Sequence, residues 1–417
     1  MSKNQALIVG GGVIGVCCAY FLSKAGMATT IVDRGNMGEG ASYGNAGLVA
    51  AGHQPLNKPS RIRQSLKLLL DPRSPLYIPL QWNPGLVRWL WYLHRNSTES
   101  GLTASMDALA PLGHITLSLF DLLVAEENLD CNYVRQGYYE ICRTEKGLKS
   151  AELDANMMQD YGYNPHTITG EELRDIEPAI LDEVIGGVYF PESATCDPHR
   201  FVTELADRIV GYGGTVLVNQ DVIEILSNRS GVKGVRLANG EVLRANTVVL
   251  ATGAYSHKLT QKFGLSLPVQ AGKGYHRDLA NKGEEKSFNV PCLLGESHVF
   301  FTPLDKFTRL AGTLEFSGVN HKIRHERLDQ LNKAANQYLE GAGDGTPTSE
   351  WCGLRPCTPD GMPFVGPVPG QDGLFVATGH ATLGLTLGPV TGKIITEQVL
   401  EGRTSLPAEP LGIERIC

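Results

Sequence analysis

The chain has little of what marks several common protein classes. It has no excess of basic residues, since 37 lysines and arginines face 44 acidic residues for a formal net charge of −7, and no nucleic-acid partner is expected. Its nine cysteines are scattered and include no C-x-x-C pair. Neither a disulfide framework nor a metal site is therefore predicted, and a reducing, cytoplasmic location is the default.

Long uninterrupted apolar runs are scarce as well. The apolar stretch at residues 6–22 has four glycines in its first half and no small-residue cleavage site after it, so it predicts neither a signal peptide nor a membrane span. Glycine itself is abundant, with 48 residues in a chain of 417. At about 150 residues per domain, this length predicts two or three domains.

The first segment of the chain predicts a buried strand, a glycine turn and a helix. Gly10, Gly12 and Gly15 fit the pattern G-x-G-x-x-G. In that pattern the glycines make a tight turn, admit a pyrophosphate to the backbone and let the helix approach the strand. The amides of Val13 and Ile14, at the start of the helix, would then face the phosphates.

A second short strand, residues 29–32, leads into Asp33 and Arg34. Asp33 lies about 20 residues past the glycines, where an acid that binds the ribose is expected. The whole segment therefore predicts a dinucleotide site rather than an ordinary turn that merely needs glycine.

Two further features favour FAD over NAD. Residues 38–48 form a glycine-rich loop that is too elaborate for a plain connector and is interpreted as wrapping a cofactor. The loop also contains a literal G-x-S-x-G around Ser42, but the strand and helix that a serine nucleophile needs are missing. The second feature is the apolar strand at 246–254, which ends in Ala-Thr-Gly at Gly253 and is typical of FAD proteins with two dinucleotide domains.

Two late segments carry the catalytic interpretation. Residues 351–361 contain Arg355 within Gly-Leu-Arg-Pro, and residues 379–389 place small residues around His380 before a helix. The amides and positive dipole end of that helix would stabilise the anionic charge of a reduced flavin. A glycine-rich helix entry without a ligand is the alternative.

These motifs together resemble the FAD-dependent enzymes of the D-amino-acid oxidase superfamily, and most closely the bacterial D-amino-acid dehydrogenases. The matching residues follow the family's order and span almost the whole chain. They are Gly10 to Gly15 with Asp33, Ala41-Ser42 with Asn45-Ala46-Gly47, Val269 with Lys273-Gly274-Tyr275, Gly353-Leu354-Arg355-Pro356 with Thr358-Pro359-Asp360-Gly361, and Gly379-His380 with Thr382-Leu383-Gly384.

The resemblance implies roles for single residues. Arg355 matches the arginine that pairs with the substrate carboxylate, and a planar guanidinium suits that task. Tyr275 matches a tyrosine on the substrate side. His53 lies where relatives carry a mobile active-site loop, and His380 is expected beside the flavin, with a structural role as its alternative.

The chain also departs from the family pattern. A second substrate arginine does not match clearly, and Arg277 and Arg309 are the candidates, with salt bridges as the alternative for both. Asp33 replaces the more frequent glutamate. Cys352 lies near the position through which sarcosine oxidases attach their flavin, but the spacing differs, so non-covalent FAD is predicted.

The cofactor contacts that the motifs and the resemblance imply extend along the chain. They are Gly10, Gly12, Val13, Ile14, Gly15, Asp33, Arg34, Ser42, Asn45, Ala46, Gly47, Val222, Gly253, Gly379, Leu383, Gly384 and Thr386.

The activity implied by the resemblance is oxidative deamination of D-amino acids to 2-oxo acids and ammonia. Hydride would pass from Cα to flavin N5, with oxygen or a quinone as electron acceptor. Two alternatives remain open. One is oxidation of a secondary or cyclic amine such as hydroxy-D-proline, D-proline, sarcosine or glycine, and the other is a non-catalytic flavin electron-relay subunit.

The predicted fold class is α/β. A Rossmann-like FAD-binding domain of the glutathione-reductase type is expected from residues 1–54, 192–266 and 347–417. A second, α+β substrate domain with a mostly antiparallel sheet is expected from residues 55–191 and 267–346.

The Trp-rich region 76–95 interrupts the strand–helix rhythm. Its aromatic and basic residues fit peripheral contact with the inner face of a membrane. Helices that pack on the domain below are the alternative.

Overall fold

The computed structural model describes residues 5–52, 54–59, 74–79, 83–281 and 288–416. The strands are β1 (Gln5–Val9), β2 (Ala28–Val32), β3 (Leu48–Ala50), β4 (Leu76–Tyr77), β5 (Tyr138–Cys142), β6 (His166–Thr169), β7 (Gly186–Phe190), β8 (Ser193–Thr195), β9 (Thr215–Leu217), β10 (Val222–Asn228), β11 (Gly231–Leu237), β12 (Val242–Arg244), β13 (Thr247–Leu250), β14 (Gln270–Ala280), β15 (Cys292–Leu294), β16 (Val299–Pro303), β17 (Phe307–Glu315), β18 (Pro347–Cys357), β19 (Phe364–Pro367) and β20 (Leu374–Thr378).

Helices cover and connect these strands. The α-helices are α1 (Val13–Lys24), α2 (Pro84–Asn96), α3 (Glu99–Glu127), α4 (Glu145–Asp160), α5 (Gly170–Ile176), α6 (Pro198–Gly211), α7 (Ser256–Thr260), α8 (His325–Asn336) and α9 (Gly384–Glu401), and short 3-10 turns occupy Gly253–Tyr255, Gln261–Phe263, Glu409–Leu411 and Ile413–Ile416.

The first sheet has the strand order β19-β20-β13-β1-β2-β9. All its neighbours pair in parallel except β19 with β20. Its central strands β1, β13 and β20 are almost wholly buried, which explains their continuous apolar sequences. Helices α1, α6 and α9 cover one face, and the small antiparallel sheet β10-β11-β12 covers the other.

The second sheet is larger and mostly antiparallel. Its order is β18-β14-β17-β16-β15-β5-β7-β6, with β4 beside β17. Among the described strands of this second sheet, only the pairs β15/β5 and β17/β4 are parallel. Helix α8 packs on the face opposite the cavity described below. The chain thus has the mixed α/β architecture that the sequence predicts.

One predicted boundary differs from the structure. The sequence predicts that residues 347–417 belong to the FAD-binding domain, but β18 is an edge strand of the second sheet and pairs with β14 from Gln270 to Leu279. The motif around Arg355 therefore belongs to the second sheet. The local sequence of β18 does not indicate which strand it pairs with, because its partner β14 lies about 80 residues earlier in the chain.

The region 76–95 is partly helical, as predicted. Trp89 is buried, and its indole nitrogen donates to the carbonyl of Cys357 at 3.1 Å. Trp91, in contrast, is 52% exposed on α2. Trp82 lies outside the described residues.

Among the described helices, α3 is long and apolar enough to cross a membrane by length and composition alone. Half of its most apolar window is buried inside the protein, where it packs against α9. Core helices of soluble proteins can have the same length and apolar composition, so these two properties alone do not indicate a membrane span.

Candidate functional site

A cavity of about 940 Å³ lies between the two sheets. This volume is near the upper end of the roughly 300–1,000 Å³ that ligand sites occupy. One wall, here called the glycine wall, is formed by lining residues within the segments 9–14, 32–36 and 251–259. The opposite wall, here called the sheet wall, is formed by residues 311–314 and, within the segment 351–356, by Trp351 and residues 354–356.

The glycine wall owes its shape to missing side chains. Gly10 has φ +114°, and a Cβ there would lie 2.4 Å from the carbonyl oxygen of Ala251. A Cβ at Gly15 would lie 1.8 Å from the carbonyl oxygen of Gly10. These contacts bring β1, α1 and the end of β13 together, so the start of α1 faces the cavity.

The residues 38–47, here called the flavin loop, pack against the start of α1. The Oγ of Ser42 accepts a hydrogen bond from the Val13 amide at 2.9 Å. Gly12, at the helix N-cap, has no side-chain cap of its own. Ser42 therefore acts as a cap from 29 residues away, which is a structural reason for serine in the G-x-S-x-G sequence.

Asp33 lines the cavity where β2 ends. Its carboxylate accepts hydrogen bonds from the amides of Gly11 at 2.6 Å and Gly35 at 2.8 Å. The aspartate thus ties the glycine turn to the next loop. Contact with a ribose, the role expected from the sequence, stays a prediction.

Beside Asp33, a stacked group closes this side of the cavity. The Arg34 guanidinium lies 3.7 Å from the ring centroid of Tyr255, and the Tyr255 hydroxyl lies 2.8 Å from Nε2 of His321. Lys258 also lines the cavity here. Sequence reasoning missed Tyr255, Lys258 and His321, because no local motif marks residues that meet only through the fold.

The entry of α9 forms a further part of the cavity. Leu383, Gly384 and Thr386 line it, and Thr386 Oγ1 accepts from the amide of Ala50 at 3.1 Å. The N-cap position of α9 has no side-chain cap. The positive end of the α9 helix dipole therefore faces the cavity, as the sequence predicts.

His380 precedes this helix and also lines the cavity. Its Nε2 lies 3.0 Å from Thr391 Oγ1 within α9. Burial lowers the pKa of His380 to about 3, since a desolvated imidazolium is unfavourable. The ring is therefore neutral near pH 7 and holds the turn to the helix.

Arg355 is held on the sheet wall by backbone geometry. Its Nη1 donates to the carbonyl of Thr313 at 2.7 Å. Thr313 lies in a bulge where β17 has extra residues opposite Gly274, and its φ is +60°, unusual for threonine. A Cβ at Gly274 would lie 2.3 Å from Nη1 of Arg355, so the guanidinium lies directly over this glycine.

The charge of Arg355 is isolated within its wall. Burial lowers the pKa of the guanidinium, which nevertheless stays protonated at neutral pH. Among the described residues that line the cavity, the other lysine and arginine side chains are Arg34 and Lys258, both on the glycine wall. Arg355 is thus the guanidinium available to an anion at the sheet wall.

Tyr275 does not lie where the sequence predicts. It is fully buried, and its hydroxyl donates to Glu315 at 2.8 Å. It packs with residues of α8 on the far face of the sheet and is absent from the described residues that line the cavity. The alternation of side chains along β14 explains this, because Gly274 lies on the face that carries the Arg355 guanidinium and its neighbour must point to the other face.

The two candidate second arginines form ion pairs instead. Arg277 pairs with Asp329 and Glu350, and Arg309 pairs with Asp278. Neither is among the described lining residues. Their salt-bridge alternatives are therefore the observed arrangement.

Most of the predicted cofactor residues surround the cavity. Those that line it are Gly10, Gly12, Val13, Ile14, Asp33, Arg34, Ser42, Asn45, Ala46, Val222, Gly253, Leu383, Gly384 and Thr386. Gly15, Gly47 and Gly379 do not; a Cβ on each would strike a neighbouring atom at 2.6 Å or less. His53 lies outside the described residues.

The family model for FAD dependent oxidoreductases, DAO, matches residues 5–398. The chain belongs to this family. FAD is therefore its cofactor, and the protein is an oxidoreductase.

Curated relatives have the same length. The chain is 31% identical over 401 residues to the D-amino acid dehydrogenase of Methylobacterium sp. (strain 4-46), covering 95% of each chain. It is 27% identical over 416 residues to the D-amino acid dehydrogenase of Vibrio atlanticus (strain LGP32), covering 99% of each.

Solved structures show the same fold at lower identity. Glycine oxidase from Geobacillus kaustophilus superposes with a TM-score of 0.78 at 22% identity, covering 99% of each chain. L-proline dehydrogenase from P. horikoshii gives 0.77 at 18% identity, covering 99% of this chain and 98% of that one.

The residues present fit FAD. The side-chain-free surface of Gly12 and Gly40 at the start of α1 suits phosphates, and the uncapped start of α9 suits a flavin that becomes anionic. The cavity reaches from Tyr255 to Arg355, which suits an elongated dinucleotide. Cys352 packs with Tyr275 behind the sheet, which is in keeping with the prediction of non-covalent FAD.

Proposed function

We propose that this protein catalyses oxidative deamination of D-amino acids to 2-oxo acids and ammonia. The observation that carries the proposal is Arg355, a guanidinium that lines the cavity on the sheet wall and is influenced by burial and Cys357 but by no carboxylate among the described residues. The names of the curated relatives support a D-amino acid as substrate.

In this proposal, Arg355 binds the carboxylate of the amino acid through two parallel hydrogen bonds. Bound FAD supplies the acceptor for the hydride that leaves Cα. Loss of a proton from the ammonium group leaves an imino acid, which water hydrolyses to the 2-oxo acid and ammonia. The chain's contribution is orientation, which can lower a barrier by roughly 7–11 kcal/mol at best.

The proposed mechanism does not require a strong base from the protein. His380 is neutral near pH 7 but accepts protons weakly, since its pKa is about 3. The Tyr275 hydroxyl donates to Glu315 behind the sheet. Neither is therefore assigned a proton-transfer role, although the resemblance implied both as catalytic residues.

Replacement of Arg355 tests the proposal. We expect Arg355→Leu to raise the KM for amino acids about 100-fold, because a charge-assisted pair contributes roughly 1.5–3 kcal/mol. Arg355→Lys should retain part of the affinity, since it keeps the charge but loses the planar fork. FAD content, measured by absorbance, should be equal in all three proteins. Unchanged kinetics in Arg355→Leu would exclude the assigned role.

The substrate class is tested by anaerobic bleaching of the flavin. A panel of D-alanine, D-phenylalanine, their L-enantiomers, D-proline, hydroxy-D-proline, sarcosine and glycine separates primary D-amino acids from secondary amines. Faster reduction by the D-enantiomers of primary amino acids supports the proposal. Reduction by imino acids alone would favour secondary-amine oxidation, and no reduction by any amine would favour an electron-relay subunit.

The electron acceptor is proposed to be a quinone at a membrane surface. On α2, Val87 and Trp91 are 55% and 52% exposed. The Arg95 guanidinium lies 4.9 Å from the Trp91 ring centroid, and Arg88 lies 5.6 Å from that of Tyr92. An aromatic and basic face of this kind suits anionic lipid headgroups.

Sedimentation with liposomes tests the membrane contact. We expect the protein to bind vesicles that contain anionic lipid more strongly than neutral vesicles, with a decrease at high salt. Trp91→Ser with Arg95→Ser should weaken this binding. Faster re-oxidation of the flavin by oxygen than by a quinone analogue would contradict the proposed acceptor.

A further inference from the structure

The flavin loop has no regular secondary structure, so its backbone groups need partners from elsewhere. The carbonyl oxygens of Tyr43 and Asn45 accept hydrogen bonds from a single atom, Nη1 of Arg309, at 3.0 and 2.9 Å. Gly44 between them lines the cavity. One guanidinium nitrogen therefore fixes the backbone on both sides of a residue that faces the cofactor.

Arg309 belongs to the second sheet, whereas the flavin loop packs against the start of α1 on the glycine wall. It lies on β17, is 2% exposed, and pairs across the ladder with Asp278 on β14. Its Nε and Nη2 donate to the two carboxylate oxygens of Asp278 at 2.8 and 2.9 Å. Asp278 thus fixes the guanidinium plane and compensates its buried charge.

Aromatic rings of the second sheet reinforce this contact. The ring of Tyr43 stacks on His276, with centroids 5.7 Å apart, and His276 stacks on Trp351 at 5.3 Å. Burial and the nearby Arg309 guanidinium hold the pKa of His276 well below its usual range, so the ring is neutral. A Cβ at Gly44 would lie 2.0 Å from the Trp351 ring, so the loop fits against this indole.

We infer that Arg309, oriented by Asp278, is a positioning residue for FAD. It shapes the flavin loop from the sheet that also carries Arg355. FAD affinity therefore depends on an ion pair that does not line the cavity. By linkage, bound FAD stabilises the contact between the flavin loop and the second sheet by the same free energy.

Titration of apoprotein with FAD, followed by quenching of flavin fluorescence, tests this inference. Arg309→Met should raise the Kd of FAD about tenfold or more, because two charge-assisted hydrogen bonds to the loop are lost. Arg309→Lys should raise it less, since it keeps the pair with Asp278 but reaches at most one carbonyl. Arg277→Met is the matched control, as Arg277 is a buried arginine of the same sheet whose partners lie away from the loop.

Urea unfolding of the same apoproteins separates positioning from general destabilisation. The inference predicts that Arg309→Met and Arg277→Met lose stability alike, while only Arg309→Met loses FAD affinity. Equal FAD affinity in the two variants would overturn it. If Arg309→Met does not fold, Arg309→Lys and Asp278→Asn carry the comparison, and unchanged FAD affinity in both would overturn the inference equally.

Discussion

At the scale of single residues, the position of Arg355 depends on a glycine and a strained threonine. Gly274 leaves room for the guanidinium, and the left-handed conformation of Thr313 turns a carbonyl toward it. A non-glycine residue in this conformation costs of order 1–3 kcal/mol, and such strain is concentrated at functional sites. Among the described residues of the sheet wall, Arg355 is the guanidinium that this strained conformation orients toward a substrate.

We therefore expect Gly274→Ala to weaken substrate binding without loss of FAD. The added methyl would overlap Nη1 of Arg355 and displace the guanidinium. KM for a carboxylate substrate should rise about ten- to hundredfold, since the interaction at stake is worth roughly 1.5–3 kcal/mol. Steady-state kinetics and the absorbance ratio of flavin to protein provide the measurement.

Gly272→Ala is the control for this change. It lies on the same strand, but its added methyl would meet Leu314 and Cys357 rather than Arg355. A rise in KM that is equal in both variants would indicate a general disturbance of β14 and not a displaced guanidinium.

Sequence alone predicted Arg355 but not the residues that hold it. Gly-Leu-Arg-Pro is a specific motif, so the arginine could be identified. Thr313 has no comparable signal, because threonine disfavours the left-handed region and the bulge depends on the register between β14 and β17. Tyr275 was misplaced for a related reason, since a motif gives a residue's position in the chain but not the face of the strand on which it lies.

At the scale of elements, the turn before α9 is tied to that helix by His380. The turn contains Gly379 with φ +86° and Ala381 with φ +48°. His380 is 2% exposed, and its ring contacts Thr391 two turns into α9. The neutral ring thereby fixes where the helix begins.

This arrangement predicts an acid-sensitive helix entry. The pKa of His380 is about 3 in the folded protein and about 6.5 in an unfolded chain. The unfolded state therefore binds more protons between these values, so the stabilising contribution is complete above pH 6.5 and is lost as the pH falls toward 3. At pH 5 the loss from this group is about 2 kcal/mol.

Urea unfolding at pH 7.5 and pH 5 measures the effect. His380→Gln should lose less stability on acidification than the parent protein, although His276 contributes in the same direction and some dependence will remain. His166→Gln, a change at an exposed position, is the control variant against which the effect of His380→Gln is compared. A steeper loss in His380→Gln would contradict the assignment.

Local sequence patterns predicted elements more readily than their partners. The first strand, the glycine turn and α1 follow from a contiguous motif, and the helix before the end of the chain follows from its glycine-rich start. The residues of β18 were predicted to belong to the FAD-binding domain, although they pair with β14 of the second sheet, because an edge strand of eleven residues shows no signal for its partner. The pairing of β14 with both β17 and β18 is a long-range property of the fold.

At the scale of the whole molecule, the cavity joins distant parts of the chain across two sheets. Gly10 and Asp33 come from the first, whereas Thr313 and Arg355 come from the second. The resemblance to a family predicted this organisation, since no composition or spacing could show that the two sheets face one cavity. The domain boundaries given by the sequence otherwise stay predictions.

We expect FAD to span both walls and therefore to protect both from hydrogen exchange. ADP, which is part of the FAD molecule, should protect mainly the glycine wall, including residues 10–14 and 253–258. FAD should also protect residues 311–314 and 351–356 of the sheet wall. Ligand at about 100 times its Kd stabilises the protein by about 2.7 kcal/mol, which is a measurable change in amide exchange.

The comparison of the two ligands at equal saturation is what makes this prediction specific. A ligand that merely stabilises the whole fold would slow exchange in both walls by the same factor, whichever ligand is used. Protection of the sheet wall by FAD but not by ADP requires contact by the flavin half. If ADP protects residues 351–356 from exchange as much as FAD does, the two sheets open as one unit. The protection of the sheet wall would then not require contact with the flavin.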